Sequence, residues 1–352
     1  MTLIDLLNIA VQHNCSDMHI TVGIPPVIRK NGVFVKIGDN PLSANDTKLL
    51  AEQILNREQV ETLARNGEVD LAISIASSQR FRVNVFMQRS HHGLAIRLIN
   101  ASIPGFKELG LPDIVSKLAD RSRGLVLVTG PTGSGKSTTL ACMIDKINKE
   151  RDKHIITLEE PIEYLHSHKK SIVNQRAVGE DTKSFAAALK AALRQDPDVI
   201  LIGEMRDIET IAIALTAAET GHLVLSTLHT VGAAKTIDRV IDVFSPHQQQ
   251  QIRTQLSTVL QGVISQQLIP KKDGKGRVAA VEVMLATPAV RNLIREGKTY
   301  QISNVMQTSL AQGMKTMDQV IIEFYRDRLI SAEDAMNCAV DADLVRKSIG
   351  PN

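Results

Sequence analysis

The sequence of 352 residues predicts an α/β protein with two domains. Residues 1–99 contain helical runs and several β-rich runs in succession, which is typical of a small α+β domain with a largely antiparallel sheet. Over 113–352, apolar β-runs first alternate with helical segments, as in a parallel sheet with helices on its faces, and a helical region follows. Residues 100–112 introduce Pro and Gly and lack strong periodicity, so we interpret them as an interdomain linker.

The first domain is expected to begin with an amphipathic helix over residues 2–13, where Leu and Ala recur at helical spacing. A second helix is expected over 44–65, ending near the turn pair Asn66-Gly67. Apolar runs bounded by Pro, Gly and Asn predict the strands. In chain order these are SDMHITVG, VFVKIG, EVDLAISI, QRFRVNVFMQR and HGLAIRLI.

The second domain is expected to alternate strands and helices. The predicted strands are LVLVT, HIITLE, DVILIG and HLVLST, and the helices between them include SFAAALKAALRQ and DIETIAIALTAAET. A final helical region is expected from Pro246 onwards. Its apolar face would consist of Ile252, Leu256, Val259, Leu260, Val263 and Leu268.

Composition narrows the classes of function. A net charge of +3, no Trp, three Tyr and seven Phe disfavour direct nucleic-acid binding. Cys15, Cys142 and Cys338 form no C-x-x-C pair, which disfavours a disulfide framework and a zinc site. No apolar run has the length of a membrane span, and the N-terminus lacks a signal-peptide profile, so we expect a location inside the cell.

The stretch LVLVTGPTGSGKST, residues 125–138, joins an apolar strand to the start of a helix. Its spacing of glycines, lysine and serine is the phosphate-loop pattern G-x-x-x-x-G-K-[ST]. The glycines let successive N–H groups face one anion at a helix N-terminus, Lys136 can reach the β- and γ-phosphates, and the Ser137 hydroxyl can bind Mg²⁺. The sequence therefore predicts a nucleoside triphosphate site, and its residues are Gly130, Pro131, Thr132, Gly133, Ser134, Gly135, Lys136, Ser137 and Thr138.

Two acidic motifs follow apolar strands. Glu204 comes just past DVILIG, at the strand end where ligands bind in open α/β sheets, and it can activate water or hold Mg²⁺. Glu159, Glu160 and Glu163 surround a proline after HIITLE, and such close carboxylates repel one another unless a cation lies nearby. A metal-linked role for Glu160 or Glu163 and a solvated acidic turn fit this spacing equally well.

Two histidines and two arginines are further candidates. His222 and His229 lie at the two ends of the strand in GHLVLSTLHT, roughly 20 Å apart, so they cannot share a metal unless the strand ends early. His229 is placed to sense a γ-phosphate. Arg82 and Arg97 lie in strands of the first domain and would act as arginine fingers if that domain packs over a nucleotide site, its own or a neighbour's.

Four motifs occur in order along the chain: GPTGSGKST, TLEEPIEYLH, RQDPDVILIGEMRD and TGHLVLSTLHT. Together they resemble the secretion and pilus ATPases, most closely the type IV pilus retraction ATPases of the PilT family. The resemblance extends to the opening SDMHITVG…PPVIRKNG and to the C-terminal PAVRNLIREGKTYQISNVMQTSLAQGMKTMDQ, and so covers almost the whole chain. It implies a PAS-like N-terminal domain followed by a RecA-like ATPase domain.

The resemblance also implies the function. The chain is expected to be a homohexamer that hydrolyses ATP with Mg²⁺ near its subunit junctions and powers pilus retraction, and with it twitching motility. It would be cytoplasmic and peripherally associated with the inner membrane through a pilus platform protein.

Roles carry over to matching positions in the ATPase domain. Lys136 and Ser137 match the Walker A contacts, and Glu204 matches the Walker B catalytic glutamate, so Ser137 and Glu204 are the expected metal contacts. Glu160 and Glu163 fall in the acidic box of the family.

Further positions match in the histidine box, in the first domain and in the C-terminal region. His222 and His229 bound the histidine box, and Arg82 and Arg97 match first-domain arginines that reach nucleotide. Residues 289–298 match a C-terminal motif that is linked to retraction rather than to hydrolysis.

Two positions depart from the pattern: Glu160 stands where an Asp is expected, and Val290 where an Ile is usual. Pilus-extension and type II secretion relatives carry a longer N-terminal region and a tetracysteine zinc insertion, which three scattered cysteines cannot supply. The retraction branch is therefore favoured, and no zinc is expected. The alternatives are an accessory retraction paralogue, an assembly ATPase, a nucleic-acid motor, and a scaffold that binds ATP without hydrolysing it.

Overall fold

A computed structural model describes residues 2–13, 15–30, 33–75, 79–99 and 102–350 of the chain. The chain divides into two compact units, Met1–Ser102 and Ile103–Asn352, here called unit 1 and unit 2. Residues 100 and 101 of the predicted linker lie outside the described residues, and the linker remains a prediction. Within the described ranges, no helix is both long and apolar enough to cross a membrane.

Unit 1 combines α-helices with an antiparallel sheet. Its described elements are α1 Leu3–Gln12, β1 Asp17–Ile20, β2 Val27–Lys30, β3 Val33–Lys36, α2 Ala44–Glu52, α3 Arg57–Asn66, β4 Glu68–Ser74, β5 Arg80–Gln88 and β6 His91–Ile99. The strand order is β3-β2-β1-β6-β5-β4, and each neighbouring pair is antiparallel.

The core of unit 1 follows from the helical spacing of α1. Leu3, Leu6 and Leu7 are each 1% exposed and belong to the same apolar cluster as Phe81 and Val83 of β5. Burial of each such side chain contributes roughly 1.5–3 kcal/mol. The predicted amphipathic helix is therefore confirmed, and its apolar stripe belongs to the core that the helices of unit 1 share with the sheet.

The single helix predicted over 44–65 is wrong, because the chain forms two helices there. α2 ends at Glu52, and α3 begins at Arg57 after Asn56, whose side chain accepts the backbone N–H of Gln59 while the Gln59 side chain accepts the N–H of Asn56. This reciprocal capping box satisfies N–H groups that a continuous helix would have bonded internally. Strand β2 was also not predicted.

Unit 2 alternates strands and helices before a helical C-terminal part. Its elements are α4 Asp113–Ala119, β7 Gly124–Thr129, α5 Lys136–Glu150, β8 His154–Glu159, β9 Ile172–Ala177, α6 Phe185–Ala192, β10 Val199–Ile202, α7 Ile208–Glu219, β11 Leu223–Leu228, α8 Ala233–Asp242, α9 Pro246–Val259, β12 Leu260–Pro270, β13 Arg277–Leu285, α10 Pro288–Arg295, α11 Ile302–Thr308, α12 Met317–Arg326, α13 Ala332–Cys338 and α14 Ala342–Ile349.

The sheet of unit 2 has the strand order β13-β12-β7-β11-β10-β8-β9 and is parallel except for β13. β7 and β11 are buried along their whole length, as expected for strands covered on both faces. Because the strands from β12 to β9 run parallel, their carboxyl ends meet at one edge of the sheet. The residues that follow β7, β8, β10 and β11 are thereby brought together.

The helical region predicted from Pro246 is partly wrong. α9 ends at Val259, and Leu260, Val263 and Leu268 lie in β12, which pairs with β7 on one side and β13 on the other. Their spacing fits a helical face, but the stretch contains the β-branched Val263 and Ile264 and gains two strand partners, and tertiary pairing overrides the helical pattern. Strands β9 and β13 were likewise not predicted.

Candidate functional site

The phosphate loop between β7 and α5 depends on glycine at three positions. Gly130, Gly133 and Gly135 have φ values of +139°, +77° and +91°, a region that side chains with a Cβ rarely adopt. A Cβ on Gly130 would also lie 2.2 Å from the carbonyl oxygen of Gln266 in β12. The loop can therefore take this path only with these glycines.

The start of α5 leaves donors available to an anion. Gly135 is the N-cap residue, and no side chain of the described part of the chain caps this end of the helix. The N–H groups of the first helical turn have no partner within the helix, and the helix dipole favours negative charge at that end. The geometry is that of a phosphate site.

Lys136 points back into the loop. Its side chain is only partly accessible, and Nζ donates hydrogen bonds to the carbonyl oxygens of Gly130 at 2.9 Å and Pro131 at 3.0 Å. Burial lowers the pKa of Lys136, while the nearby carboxylates of Glu204 and Glu163 oppose that shift. The ammonium group therefore lies close to the acidic residues of unit 2 rather than at an isolated surface.

The other predicted loop residues fall into two groups. Thr132, Gly133 and Ser137 line a cavity together with Lys136, whereas Ser134 is buried beneath the loop. The Thr138 hydroxyl forms a 2.9 Å hydrogen bond with the Tyr164 hydroxyl. The loop is thereby tied to the segment that follows β8.

Glu204 is held in a fixed position just past β10. Its backbone neighbours are anchored to the adjacent strands, since Gly203 N–H donates to Leu158 O at 2.7 Å and Met205 N–H donates to Thr227 O at 3.2 Å. The Glu204 side chain is 12% exposed, and its two oxygens lie 2.6 Å from Arg206 Nη2 and 3.2 Å from His229 Nε2. This carboxylate keeps a defined direction.

The acidic segment after β8 faces the same cavity. Glu159, Glu160 and Glu163 line it, together with Lys136 and Glu204. Burial raises the pKa of Glu159 to about 6, against hydrogen bonds from Thr157 and Gln175 that favour the charged form. The structure therefore brings these carboxylates to the cavity that also contains the Lys136 ammonium group, a cation that reduces their mutual repulsion.

Three predicted site residues lie elsewhere. His222 precedes β11, at the opposite end of that strand from His229, and its Nδ1 lies 2.9 Å from the carbonyl oxygen of Ala217. Arg82 and Arg97 belong to unit 1, where they are direct cross-strand neighbours in β5 and β6. A nucleotide role for each of these residues stays a prediction.

Several cavity residues were not singled out from the sequence. Arg206, Tyr164, His166, Phe185 and Thr227 all line the cavity. Arg206 carried a usable signal, since it follows Glu204 by two residues in the motif GEMRD. The others depend on how β8, β10 and β11 align, which the motifs do not encode.

A comparison with protein families matches residues 5–337 of the chain to the type II/IV secretion system protein family. The chain belongs to this family. The type IV pilus retractation ATPase PilT of Pseudomonas aeruginosa is 48% identical over 335 residues, which cover 95% of this chain and 97% of that protein. The type IV pilus ATPase PilU of the same organism is 44% identical over 98% of this chain and 90% of that protein.

A solved structure shows the same fold. The crystal structure of the pilus retraction motor PilT with bound ADP has a TM-score of 0.92 and 49% identity, and it covers 98% of both chains. The predicted α/β fold is therefore confirmed. The prediction that the chain is a nucleotide-binding pilus retraction ATPase of the PilT branch is confirmed as well.

Proposed function

We propose that the chain works as a homohexameric motor that hydrolyses Mg–ATP in the cavity of unit 2 and thereby powers retraction of a type IV pilus and twitching motility. The observation that carries the proposal is the convergence of Lys136 and Glu204 on one cavity at the carboxyl edge of the sheet. This edge is where nucleotides bind in open α/β sheets.

Phosphate binding is assigned to the loop. The N–H groups from Gly133 to Ser137 and the Lys136 ammonium supply the positive potential that the β- and γ-phosphates require. Lys136 exchanges its two carbonyl partners for phosphate oxygens, which are stronger acceptors because they are charged.

The donors in the cavity fit a magnesium ion. The Ser137 hydroxyl and the carboxylates of Glu160, Glu163 and Glu204 are oxygen ligands, and Mg²⁺ usually takes one or two protein oxygens together with phosphate oxygens and waters. We assign the metal contacts to Ser137 and, directly or through water, to Glu204. When bound, the ion would neutralise charge that develops on the phosphates.

Water activation is assigned to Glu204. Its carboxylate accepts the proton of the attacking water, while Arg206 and His229 hold the two carboxylate oxygens in place. His229 directly follows β11, which lies between β7, the strand before the phosphate loop, and β10, the strand before Glu204, and we assign it the role of a γ-phosphate sensor. Glu160 and Glu163 complete the acidic side of the site, and His222 is retained as a proposed nucleotide contact.

Other parts of the proposal concern the assembly. Arg82 or Arg97 would stabilise negative charge in the transition state, as arginine fingers do in other ATPases. We place the motor in the cytoplasm, bound to the inner membrane through a pilus platform protein. The domain movement that turns hydrolysis into force would occur in residues 100–112.

Retraction in living cells tests the proposal. Cells whose only copy carries Glu204→Ala are compared with unaltered cells for pilus assembly and pilus retraction. Pili that assemble but do not retract are the expected result. Pili that fail to assemble would instead indicate an assembly ATPase.

A second candidate function is an accessory role beside another retraction motor. The observation in its favour is the 44% identity to PilU, which is close to the 48% identity to PilT. Retraction that is unaffected by Glu204→Ala, in cells that keep a second retraction ATPase, would support this role.

A further inference from the structure

The segment between β8 and β9 carries Glu160 and Glu163, yet residues 160–166 form neither helix nor strand. A loop without backbone pairing of its own needs side-chain contacts to hold functional groups in place. Besides the contact between Tyr164 and Thr138, this segment is held by Gln175, which lies in β9 and is directly opposite Thr157 of β8.

The Gln175 amide bonds to three places in the acidic segment. Its Nε2 donates to the carbonyl oxygen of Tyr164 at 2.8 Å and to Glu159 Oε1 at 3.2 Å. Its Oε1 accepts the backbone N–H of His166 at 2.8 Å. One side chain therefore forms hydrogen bonds with both the beginning and the end of the segment that contains Glu160 and Glu163.

These contacts need an amide of this length. Both N–H donors and the carbonyl acceptor of Gln175 are used, so a carboxylate or an apolar side chain of similar size would leave partners unsatisfied. The group is partly buried, where an unpaired partner costs more than at the surface. Gln175 does not itself line the cavity, and its influence on the reaction must pass through the segment.

Resting on the function proposed above, we propose that Gln175 is a positioning residue for ATP hydrolysis, which holds residues 159–166 so that Glu160 and Glu163 face the phosphate loop. Without it, the segment keeps its covalent ends at β8 and β9 but loses three hydrogen bonds that define its path. Small displacements of this kind lower the rate of the chemical step more than the affinity for substrate.

Steady-state hydrolysis by the purified full-length chain tests this role, with Gln175→Leu compared with the unaltered protein. We expect kcat to fall by roughly 10- to 100-fold, because Glu160 and Glu163 lose their alignment. The dissociation constant for ADP, whose phosphates would contact the loop in the proposed binding mode, should stay within about threefold of the unaltered value.

A second variant keeps the side chain's size and one of its contacts. Gln175→Glu can still accept the His166 N–H but loses both donors and places a second carboxylate beside Glu159. We expect a similar loss of kcat.

Asn174→Ala is the matched control, because Asn174 is the neighbouring amide in β9, is exposed, and bonds to His154 instead. It should hydrolyse ATP like the unaltered chain. Values of kcat in both Gln175 variants equal to that of the control would overturn the proposal, as would equal losses of kcat and ADP affinity. If Gln175→Leu is insoluble, Gln175→Glu decides alone. Absence of hydrolysis in the unaltered chain would instead remove the proposed function.

Discussion

Unit 1 and unit 2 each contain an exposed arginine paired with a mostly buried carboxylate. In unit 1, Arg97 Nε lies 3.0 Å from Asp17 Oδ1, with side chains 69% and 18% exposed. In unit 2, Arg206 and Glu204 are 2.6 Å apart, with side chains 71% and 12% exposed. By geometry and exposure the two pairs are nearly the same.

The surroundings of the two pairs differ. Asp17 lies within an antiparallel sheet beside Asp70 and Arg82, which pair with each other, so the two carboxylates and two guanidinium groups compensate one another. Glu204 instead follows a parallel strand and lines a cavity with Lys136 of the phosphate loop, whereas the cavity that Asp17 lines is formed by the antiparallel strands of unit 1. An ion pair alone therefore does not distinguish the two carboxylates. Position at the carboxyl edge of a parallel sheet, where ligands bind, does distinguish them, and the catalytic role proposed for Glu204 rests on that position.

The largest effect on ATP hydrolysis is expected from a substitution of Glu204, the unit 2 member of this comparison. Glu204→Gln keeps the size of the side chain and removes the carboxylate that we propose accepts the proton from water. We expect kcat for ATP hydrolysis to fall by about 10²- to 10⁴-fold, with ADP still bound. Phosphate release and ADP binding are measured on the same preparation.

The matched control is Glu209→Gln, since Glu209 is an exposed glutamate of α7 that pairs with Lys190 at the surface. It should retain the unaltered rate, because exposed ion pairs contribute little to stability. Turnover by Glu204→Gln at the rate of this control would contradict the role assigned to Glu204.

The second prediction asks whether the unit 1 pair is more than structural. Arg97→Ala removes the guanidinium, while Asp17→Asn removes the ion pair and keeps the guanidinium. If Arg97 acts as an arginine finger, kcat should fall by roughly 100-fold in the first variant only. Equal rates in the two variants would show that the pair acts only within the sheet.

That comparison needs stability controls, because the pKa of Asp17 shows that its charged form is stabilised by its partners in the fold. Burial raises the pKa of Asp17, but hydrogen bonds from Arg97 and Ser16 outweigh burial and leave it below its usual value. Arg97→Ala therefore leaves the partly buried Asp17 carboxylate without its ion-pair partner, which lowers the stability of the fold. Melting temperatures of both variants, measured at the pH of the assay, separate this loss of stability from a loss of catalysis.

Much of this site could be predicted from the sequence because its parts are local. The phosphate loop needs only the spacing from Gly130 to Ser137, and Glu204 and His229 needed only the rule that ligands gather at the ends of parallel strands. Arg206 was within reach of the same reasoning.

The remaining parts depend on contacts between segments that are distant in sequence. Tyr164 meets Thr138, and Gln175 meets Glu159, only once β8, β9 and α5 are in place. The strand β12 was mistaken for helix for a similar reason, since its partners β7 and β13 override its spacing. Tertiary pairing of this kind leaves no periodic signal in the residues themselves.

A third prediction concerns pH, where burial in unit 2 has a measurable consequence. Burial lowers the pKa of His166 to about 4. Between this value and the ordinary pKa of about 6.5, the unfolded chain binds a proton that the folded chain excludes. The contribution of neutral His166 to the free energy of unfolding is therefore fully retained above about pH 6.5 and decreases as the pH falls towards 4. By pH 5 the loss should be about 2 kcal/mol.

His166→Leu cannot take up that proton. We expect the melting temperature of the unaltered chain to fall by roughly 5 °C more than that of His166→Leu between pH 7 and pH 5. Glu159, whose raised pKa gives the opposite slope, is present in both proteins and cancels in the difference. Parallel pH dependence of the two melting temperatures would mean that His166 is protonated in the fold.

The smallest expected effect comes from Tyr164→Phe, which removes one hydroxyl from the unit 2 site and nothing from its packing. That hydroxyl bonds to Thr138, one residue after Ser137 at the start of α5. Loss of one such hydrogen bond costs about 1 kcal/mol, and the carbonyl oxygen of Tyr164 stays bonded to Gln175. We expect kcat to fall by about threefold or less, because α5 keeps the loop in place.

A loss of kcat as large as that of Gln175→Leu would show that the contact with Thr138, rather than the hydrogen bonds of Gln175, positions the acidic segment. Tyr325→Phe is the matched control, since Tyr325 belongs to α12 in the C-terminal apolar cluster.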